Sequence, residues 1–296
     1  MISNKEVNQG RVGKVGVLLI HGLCGSPAEM RFVANGLSRE GYLVRSAELA
    51  GHGGTAEELR ASTWQDWVKS AEAALEAISK ECDTVVVGWL SMGAVVSLYL
   101  AAMHPEKVQA VSLYSPALWL SGRRVPWYVP LFRIITIKAV ANLFRFPVPG
   151  HVGIKDQRIR DFIRKALSNG AAPQQVVTPG GAILERRRLA KVVMRYLNEI
   201  TQPTLIIHAR EDDYAGLDNA EYLQKKLAGK VDLVVLEDSY HMVTVDRERH
   251  LVVERTSAFL ARVSSALKSG LGRRAKAVHI VAPRFAFGGV LSPSAA

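Results

Sequence analysis

Two hydrophobic periods alternate along the first third of the chain. VGVLLIHG (15–22) is a short β-branched apolar run of the kind buried on both faces of a sheet. PAEMRFVANGLSREG (27–41) follows with helical spacing and ends at a glycine. The pattern then repeats: strand YLVRSAEL (42–49), helix STWQDWVKSAEAALEAISKE (62–81) with Ser62 or Thr63 available as N-cap, strand DTVVVGWL (83–90), helix SMGAVVSLYLAAMHPE (91–106) and strand VQAVSLYSP (108–116). Strands separated by helices of this length predict a parallel sheet covered on both faces.

The alternation stops at about residue 117. From there to 200 the spacing is helical, no segment reads convincingly as a strand, and prolines and glycines interrupt it in FPVPGHVG and VVTPGG. Alternation resumes with strand PTLIIHA (203–209), helix NAEYLQKKLAG (219–229), strand VDLVVLED (231–238) and helix RERHLVVERTSAFLARVSSALK (247–268). We therefore expect one α/β core from residues 1–116 and 201–268, interrupted by a helical cap insertion at 117–200. Residues 269–296 show no period and many small residues, which predicts a poorly ordered basic tail.

Composition narrows the picture. In 296 residues, 48% are hydrophobic, enough for a large core. The two cysteines, Cys24 and Cys82, form no CxxC pair, so a reducing, cytoplasmic setting is expected rather than a disulfide framework. The N-terminus lacks the apolar run and small-residue site of a signal peptide. The apolar window WYVPLFRIITIKAVANLF (127–144) contains Arg133, Lys138 and a proline, and reads as helical and buried or interfacial rather than membrane-spanning. A net charge of +11 is concentrated in SGRRV, KDQRIRDFIRK, ERRRLAK and GRRAK. No nucleic-acid module accompanies it, so nucleic acid is not expected as a partner. A solvated basic face accounts for it, with peripheral membrane contact through a basic, aromatic cap as the other reading.

The chemistry centres on VVVGWLSMGA (85–94), a buried strand that runs into Ser91 and then a helix. A serine on such a turn is held exposed above the sheet edge, and the Met92 amide at the helix start points toward a developing oxyanion. Small residues should flank the serine. Gly93 supplies one, but Trp89 stands two residues before it, and overpacking there would cost about 1–3 kcal/mol. A serine also needs a base and an acid. EDSYHMVTVD follows the last strand and offers His241; HAREDDYAGLD follows the strand before it and offers Asp212 and Asp213. All these loops leave the carboxyl edge of a parallel sheet, where ligands of open α/β sheets bind. The loop HGLCGSP (21–27) after the first strand suits a second oxyanion donor, the amide of Leu23.

LLIHGLCGSP, LAGHGGTAEELRASTWQDW, VVVGWLSMGA, IIHAREDD and SYHMVTVDRER, in this order, resemble the α/β-hydrolase superfamily, in particular small bacterial carboxylesterases related to monoacylglycerol lipases. The resemblance covers residues 15 to about 265 apart from the insertion. It implies an α/β-hydrolase fold and a serine hydrolase of carboxylic esters; an acyl pocket in the aromatic cap favours short to medium acyl chains or monoacylglycerols as substrates, and no cofactor is expected. It further implies Ser91 as nucleophile, Asp212 as acid with Asp213 as the alternative, His241 as base, and the Leu23 and Met92 amides as oxyanion hole. Trp89 departs from the family, which usually has glycine there. The aromatics Trp119, Trp127, Phe132 and Phe144, together with Trp89, are expected to line the substrate pocket, or else to form the core of the cap.

Other readings carry less. His21 should support the oxyanion loop without doing chemistry, and Cys24 should be a small packed residue near the site. AGHGGTA fits a G-x-G-x-x-A dinucleotide pattern without the strand and acid that should follow. No HExxH or Cys/His cluster suggests a metal. The same fold supports amide and thioester hydrolysis and cofactor-free haloperoxidation. An elbow disabled by Trp89 would instead leave a ligand-binding module.

Overall fold

The computed structural model describes residues 14–125, 129–147, 153–168 and 177–269. Trp127 and the segment beyond 269 lie outside them.

Six parallel strands form the main sheet: β1 (Val15–Ile20), β2 (Leu43–Ala47), β3 (Thr84–Leu90), β4 (Ala110–Tyr114), β7 (Thr204–Ala209) and β8 (Val231–Leu236), in the order β2-β1-β3-β4-β7-β8. The order reverses beside β1, so the loops after β1 and β3 open onto a switch-point crevice. The antiparallel pair β5 (Arg145–Pro147) and β6 (Val177–Pro179) lies in the segment read as strand-free. Each strand is three residues long, too short for a period-two signal to rise above its prolines.

Two layers of helices cover the sheet. Helices α2 (Ala56–Ala61), α3 (Trp64–Glu81) and α4 (Met92–Met103) pack on one face, burying Leu59, Trp67, Leu75, Val95 and Leu98 against Leu18, Val85 and Val87. Helices α1 (Arg31–Arg39) and α9 (Arg249–Lys268) cover the other, burying Val33, Leu37, Val252 and Leu260 against Val17, Leu19 and Val86. The expected helix over 62–81 starts at Trp64. Thr63 caps it in a reciprocal box with Asp66, while Ser62 closes α2 instead.

Between β4 and β7 the chain forms a 3-10 turn (Val129–Ile134), α5 (Lys138–Ala141), α6 (Gln157–Ser168) and α7 (Gly180–Val193). Helix α7 lies on α4 through Leu189, Ala190 and Val193, which join the core of that face. Phe132, Ala141 and Leu184 make a small separate core. The apolar window over 127–144 is less buried than its composition suggests: Ile134 and Leu143 are 82% and 77% exposed. After β7 come α8 (Asp218–Lys226), β8 and α9. Among the described residues, no helix is long and apolar enough to cross a membrane.

Candidate active site

Ser91 joins β3 to α4 with φ 59° and ψ −115°, a conformation that costs a non-glycine residue about 1–3 kcal/mol. The turn is held from both sides. The Ser91 N–H donates to the Tyr114 carbonyl at 2.9 Å, and the Ala117 N–H donates to the Ser91 carbonyl at 3.4 Å. Gly93 lets α4 approach β1, since a Cβ there would fall 1.8 Å from the Ile20 carbonyl oxygen.

Trp89 does not line a pocket, and the structure corrects that expectation. The side chain is fully buried in the core between the sheet and helices α1 and α9, its ring 4.9 Å from that of Tyr114. Strand alternation would place it with Val87 and its register partner Leu113, which both pack on the α3/α4 face. The backbone departs from regular β3 geometry at this point, with Trp89 at φ 154°. Gly88 permits the departure: a Cβ on it would meet the Ser112 carbonyl oxygen at 2.0 Å. The small residue that the turn needs is thus displaced by one position, and the indole leaves by the face opposite α4.

His241 follows β8 and Asp212 follows β7. His241 Nδ1–H donates to Asp212 Oδ2 at 2.8 Å, which leaves Nε2 free. Asp212 Oδ1 accepts the N–H groups of Tyr214 and Ala215 at 2.9 and 2.8 Å, and the buried His208 ring lies 3.4 Å from Oδ2. Burial works to raise the Asp212 carboxyl, but the charge and hydrogen bond of His241, then His208 and the Ala215 amide, hold it below its ordinary value. Burial likewise depresses the His241 imidazole, yet Asp212, Asp213 and Glu29 outweigh it and the net shift is upward. Asp213 has other partners: its Oδ2 lies 3.1 Å from Arg124 Nε and accepts the Gly153 N–H at 3.3 Å.

The loop after β1 closes against the serine. A Cβ on Gly22 would stand 3.6 Å from Ser91 Cβ. His21 fixes this loop, accepting the Leu49 N–H on Nε2 at 3.1 Å and donating from Nδ1 to the Gly22 carbonyl at 3.0 Å. Burial lowers its basicity, so it stays neutral in this role. Leu23 follows in the turn, and Met92 opens α4 with its N–H at the helix start, where no intrahelical acceptor exists. Cys24 Sγ lies 3.1 Å from Thr178 Oγ1, and burial pushes the thiol up to about 11, so it is not a ready nucleophile.

The other aromatic candidates are placed as follows. Trp119 is tied to α8, its Nε1–H donating to Asp218 Oδ2 at 2.6 Å and its ring packing on Tyr222. Phe132 stacks edge-on with Phe144 and Phe146.

Four residues near the site carry no short motif and were not found from sequence. Glu29 points its carboxylate at the loop after β1, where a Cβ on Gly25 would lie 2.5 Å from it. Desolvation pushes that carboxyl up to about 7. Tyr214 packs its ring 5.2 Å from that of His241. Asp246 accepts the N–H groups of Tyr240, Lys155 and Asp156 at 2.8, 2.7 and 2.9 Å, tying the His241 loop to the segment between β4 and β7. Arg186 reaches from α7 to the Ala117 carbonyl at 2.7 Å. Among the described residues, no group of three or more His, Cys, Asp or Glu side chains could hold a metal ion.

A strained serine at a strand–helix turn, an Asp–His pair on neighbouring loops and a mostly parallel sheet define a serine hydrolase of α/β-hydrolase architecture. Residues 14–248 match the Hydrolase_4 family, described as serine aminopeptidase, S33, and the chain belongs to that family. It is 30% identical over 266 residues to the thermostable monoacylglycerol lipase of Bacillus sp. (strain H-257), covering 88% of this chain and 96% of that one. It is 24% identical over 262 residues to a carboxylesterase of Bacillus subtilis (strain 168), covering 85% and 94%. Among solved structures, one of the metagenome-derived lipolytic enzymes LipS and LipT superposes with a TM-score of 0.73 at 30% identity, covering 84% of this chain and 95% of that one. The monoglyceride lipase of Saccharomyces cerevisiae has the same fold, with a TM-score of 0.74 at 15% identity over 86% and 89% of the two chains.

Proposed function

We propose that the protein hydrolyses carboxylic esters of short to medium acyl chains or monoacylglycerols through an acyl-enzyme on Ser91. The observation that carries the reading is the backbone of Ser91, φ 59° and ψ −115°, strain maintained at a serine on the same carboxyl edge of the sheet as the Asp212–His241 pair. His241 Nε2 takes the Ser91 proton as Oγ attacks the ester carbonyl, and the amides of Leu23 and Met92 stabilise the tetrahedral oxyanion. His241 then protonates the leaving alcohol. Water, deprotonated by the same nitrogen, releases the acid and regenerates Ser91. Asp212 holds the imidazole with Nε2 free and offsets its transient charge. The relatives named above act on esters, which supports this substrate class, and Trp89 is accommodated in the core, which leaves the elbow without an evident steric defect.

Fluorophosphonate labelling with peptide mapping tests the nucleophile. Modification of Ser91, with p-nitrophenyl ester turnover that disappears in Ser91→Ala, is the expected result. A folded wild-type protein that is neither labelled nor active would return the chain to the ligand-binding reading. The half-buried free thiols of Cys24 and Cys82 suit a reducing compartment such as the cytoplasm.

A second component concerns lipid surfaces. Ile134, Ile137, Leu143 and Phe162 are 82%, 62%, 77% and 73% exposed on the inserted segment, and Arg145 is exposed beside them. Exposed apolar side chains of the 3-10 turn and α5 region with a basic residue next in sequence suit peripheral contact with an anionic bilayer. Co-sedimentation with phosphatidylglycerol vesicles, lost on combining Ile134→Glu with Leu143→Glu, is the expected outcome.

A further inference from the structure

Helix α7 buries two charged side chains with opposite circumstances. Glu185 is 1% exposed and has partners: it accepts from Arg188 Nη1 at 2.7 Å and from the Trp64 N–H at 3.3 Å. Arg186 is 5% exposed and has no carboxylate partner among the described residues. Its Nη1–H donates to the Ala117 carbonyl, and its enclosed Nε–H has no hydrogen-bond partner. The charged or polar groups acting on it are Tyr214, whose phenol burial keeps neutral, and Arg187, which repels it. A buried cation left without an anion is costly, and a planar guanidinium is built to take a carboxylate in a two-point contact.

The location gives this a use. Ala117, which holds Nη1, donates its own N–H to the carbonyl of Ser91. Tyr214, the phenol whose charge would act on the guanidinium, packs its ring on that of His241. Arg186 is also as enclosed as the reacting groups, since Ser91, Asp212 and His241 are 9%, 5% and 6% exposed. Its link to the site is the one through Ala117, whose carbonyl takes the guanidinium and whose N–H holds the nucleophile's own carbonyl. The single bond to Ala117 uses one of five guanidinium donors, more than a structural strut requires.

We propose that Arg186 anchors a carboxylate carried by the substrate, so that the preferred esters are anionic, with the reacting carbonyl at Ser91 and the free carboxylate on the guanidinium. This rests on the ester-hydrolase reading above. The carboxylate can sit on the acyl part, as in monoesters of dicarboxylic acids, or on the alcohol part, as in esters of hydroxy acids.

The test compares kcat/KM for monomethyl succinate, glutarate and adipate with methyl butanoate, pentanoate and hexanoate, and for carboxymethyl hexanoate with ethyl hexanoate. The expected result is a preference of about tenfold or more for the anionic member at one chain length or in the alcohol arm. Arg186→Leu and Arg186→Gln should abolish the preference while keeping turnover of neutral esters. Arg186→Lys keeps the charge without the planar fork; it should reduce the preference, and it serves where the neutral variants do not fold. Calorimetry of monomethyl adipate and carboxymethyl hexanoate on Ser91→Ala, with and without Arg186→Gln, reads the site without turnover. Arg186-dependent binding without ester hydrolysis by the wild type would keep the anion site and reject the esterase reading. Equal rates on neutral and anionic esters, or a preference that survives Arg186→Gln, would overturn the anion site alone.

Discussion

The indole of Trp89 meets the ring of Tyr114 edge-on, with centroids 4.9 Å apart and planes at 73°, on the side of the sheet away from α4. Tyr114 in turn bonds Thr256 of α9 through its hydroxyl at 2.5 Å and receives the Ser91 N–H on its backbone carbonyl. The tryptophan therefore buttresses the strand that holds the serine turn. Trp89→Ala should cost about 3–5 kcal/mol of stability, because it empties a fully buried aromatic site. Trp89→Phe should cost much less, since it keeps the edge contact and removes an indole N–H that has no partner. Urea unfolding of the two variants checks the order. Equal stabilities would mean that the indole fills no space the core needs.

Ser91 is the second site where stability and chemistry pull apart. Ser91→Ala keeps the strained φ of 59°, whereas Ser91→Gly relaxes it. The glycine variant should unfold at higher denaturant than the alanine variant, by about 1 kcal/mol once the greater freedom of unfolded glycine is allowed for. Both should be inactive.

The two aspartates after β7 should separate cleanly. Asp212→Asn leaves His241 Nδ1 facing an amide in place of a carboxylate and should lower kcat by about 10³–10⁴-fold with little change in KM. Asp213→Asn weakens the Arg124 pair and the Gly153 contact instead, so thermal unfolding should fall while kcat changes by less than about tenfold. The reverse ranking of the kcat losses would move the acid to Asp213.

Glu29 supplies a pH signature. Its carboxyl rises from an ordinary 4.5 to about 7 on folding, chiefly by desolvation, so the folded chain binds that proton more tightly than the unfolded chain. The associated stability is present below about pH 4.5 and is lost as pH rises through about 7. Glu29→Gln should therefore lose less stability than the wild type between those values. Ionised Glu29 also helps raise the His241 imidazole, so the same variant should move the acid limb of kcat/KM to lower pH. Unchanged curves on both counts would place the carboxylate out of reach of His241.

Much of this was legible in the chain. Alternation located the strands to within a few residues because each is a β-branched run followed by a turn, and the loops that carry Ser91, Asp212 and His241 were read from their positions after those strands. The choice between Asp212 and Asp213 was open on sequence alone, because adjacent acids differ only in which way the turn faces. The course of Trp89 was hidden for a related reason: strand periodicity assumes regular backbone, and the departure at Gly88 and Trp89 reverses its side. Arg186 and Asp246 were invisible because their partners, Ala117 and Lys155, lie far along the chain, and Glu29 because only the folded turn after β1 buries its carboxyl against Gly22 and Gly25.

The Asp246 carboxylate fixes where the molecule can bend. It holds the amides of Tyr240, Lys155 and Asp156 at once, and the Met242 N–H adds a bond to the Gly153 carbonyl. Residues 153–156 are thereby riveted to the histidine loop and move with the body of the enzyme. A spin-label pair at 153–156 and 240–246 should therefore report one narrow distance that Asp246→Ala broadens. The placement of the histidine is thus tied to the segment between β4 and β7 and not to its own loop alone.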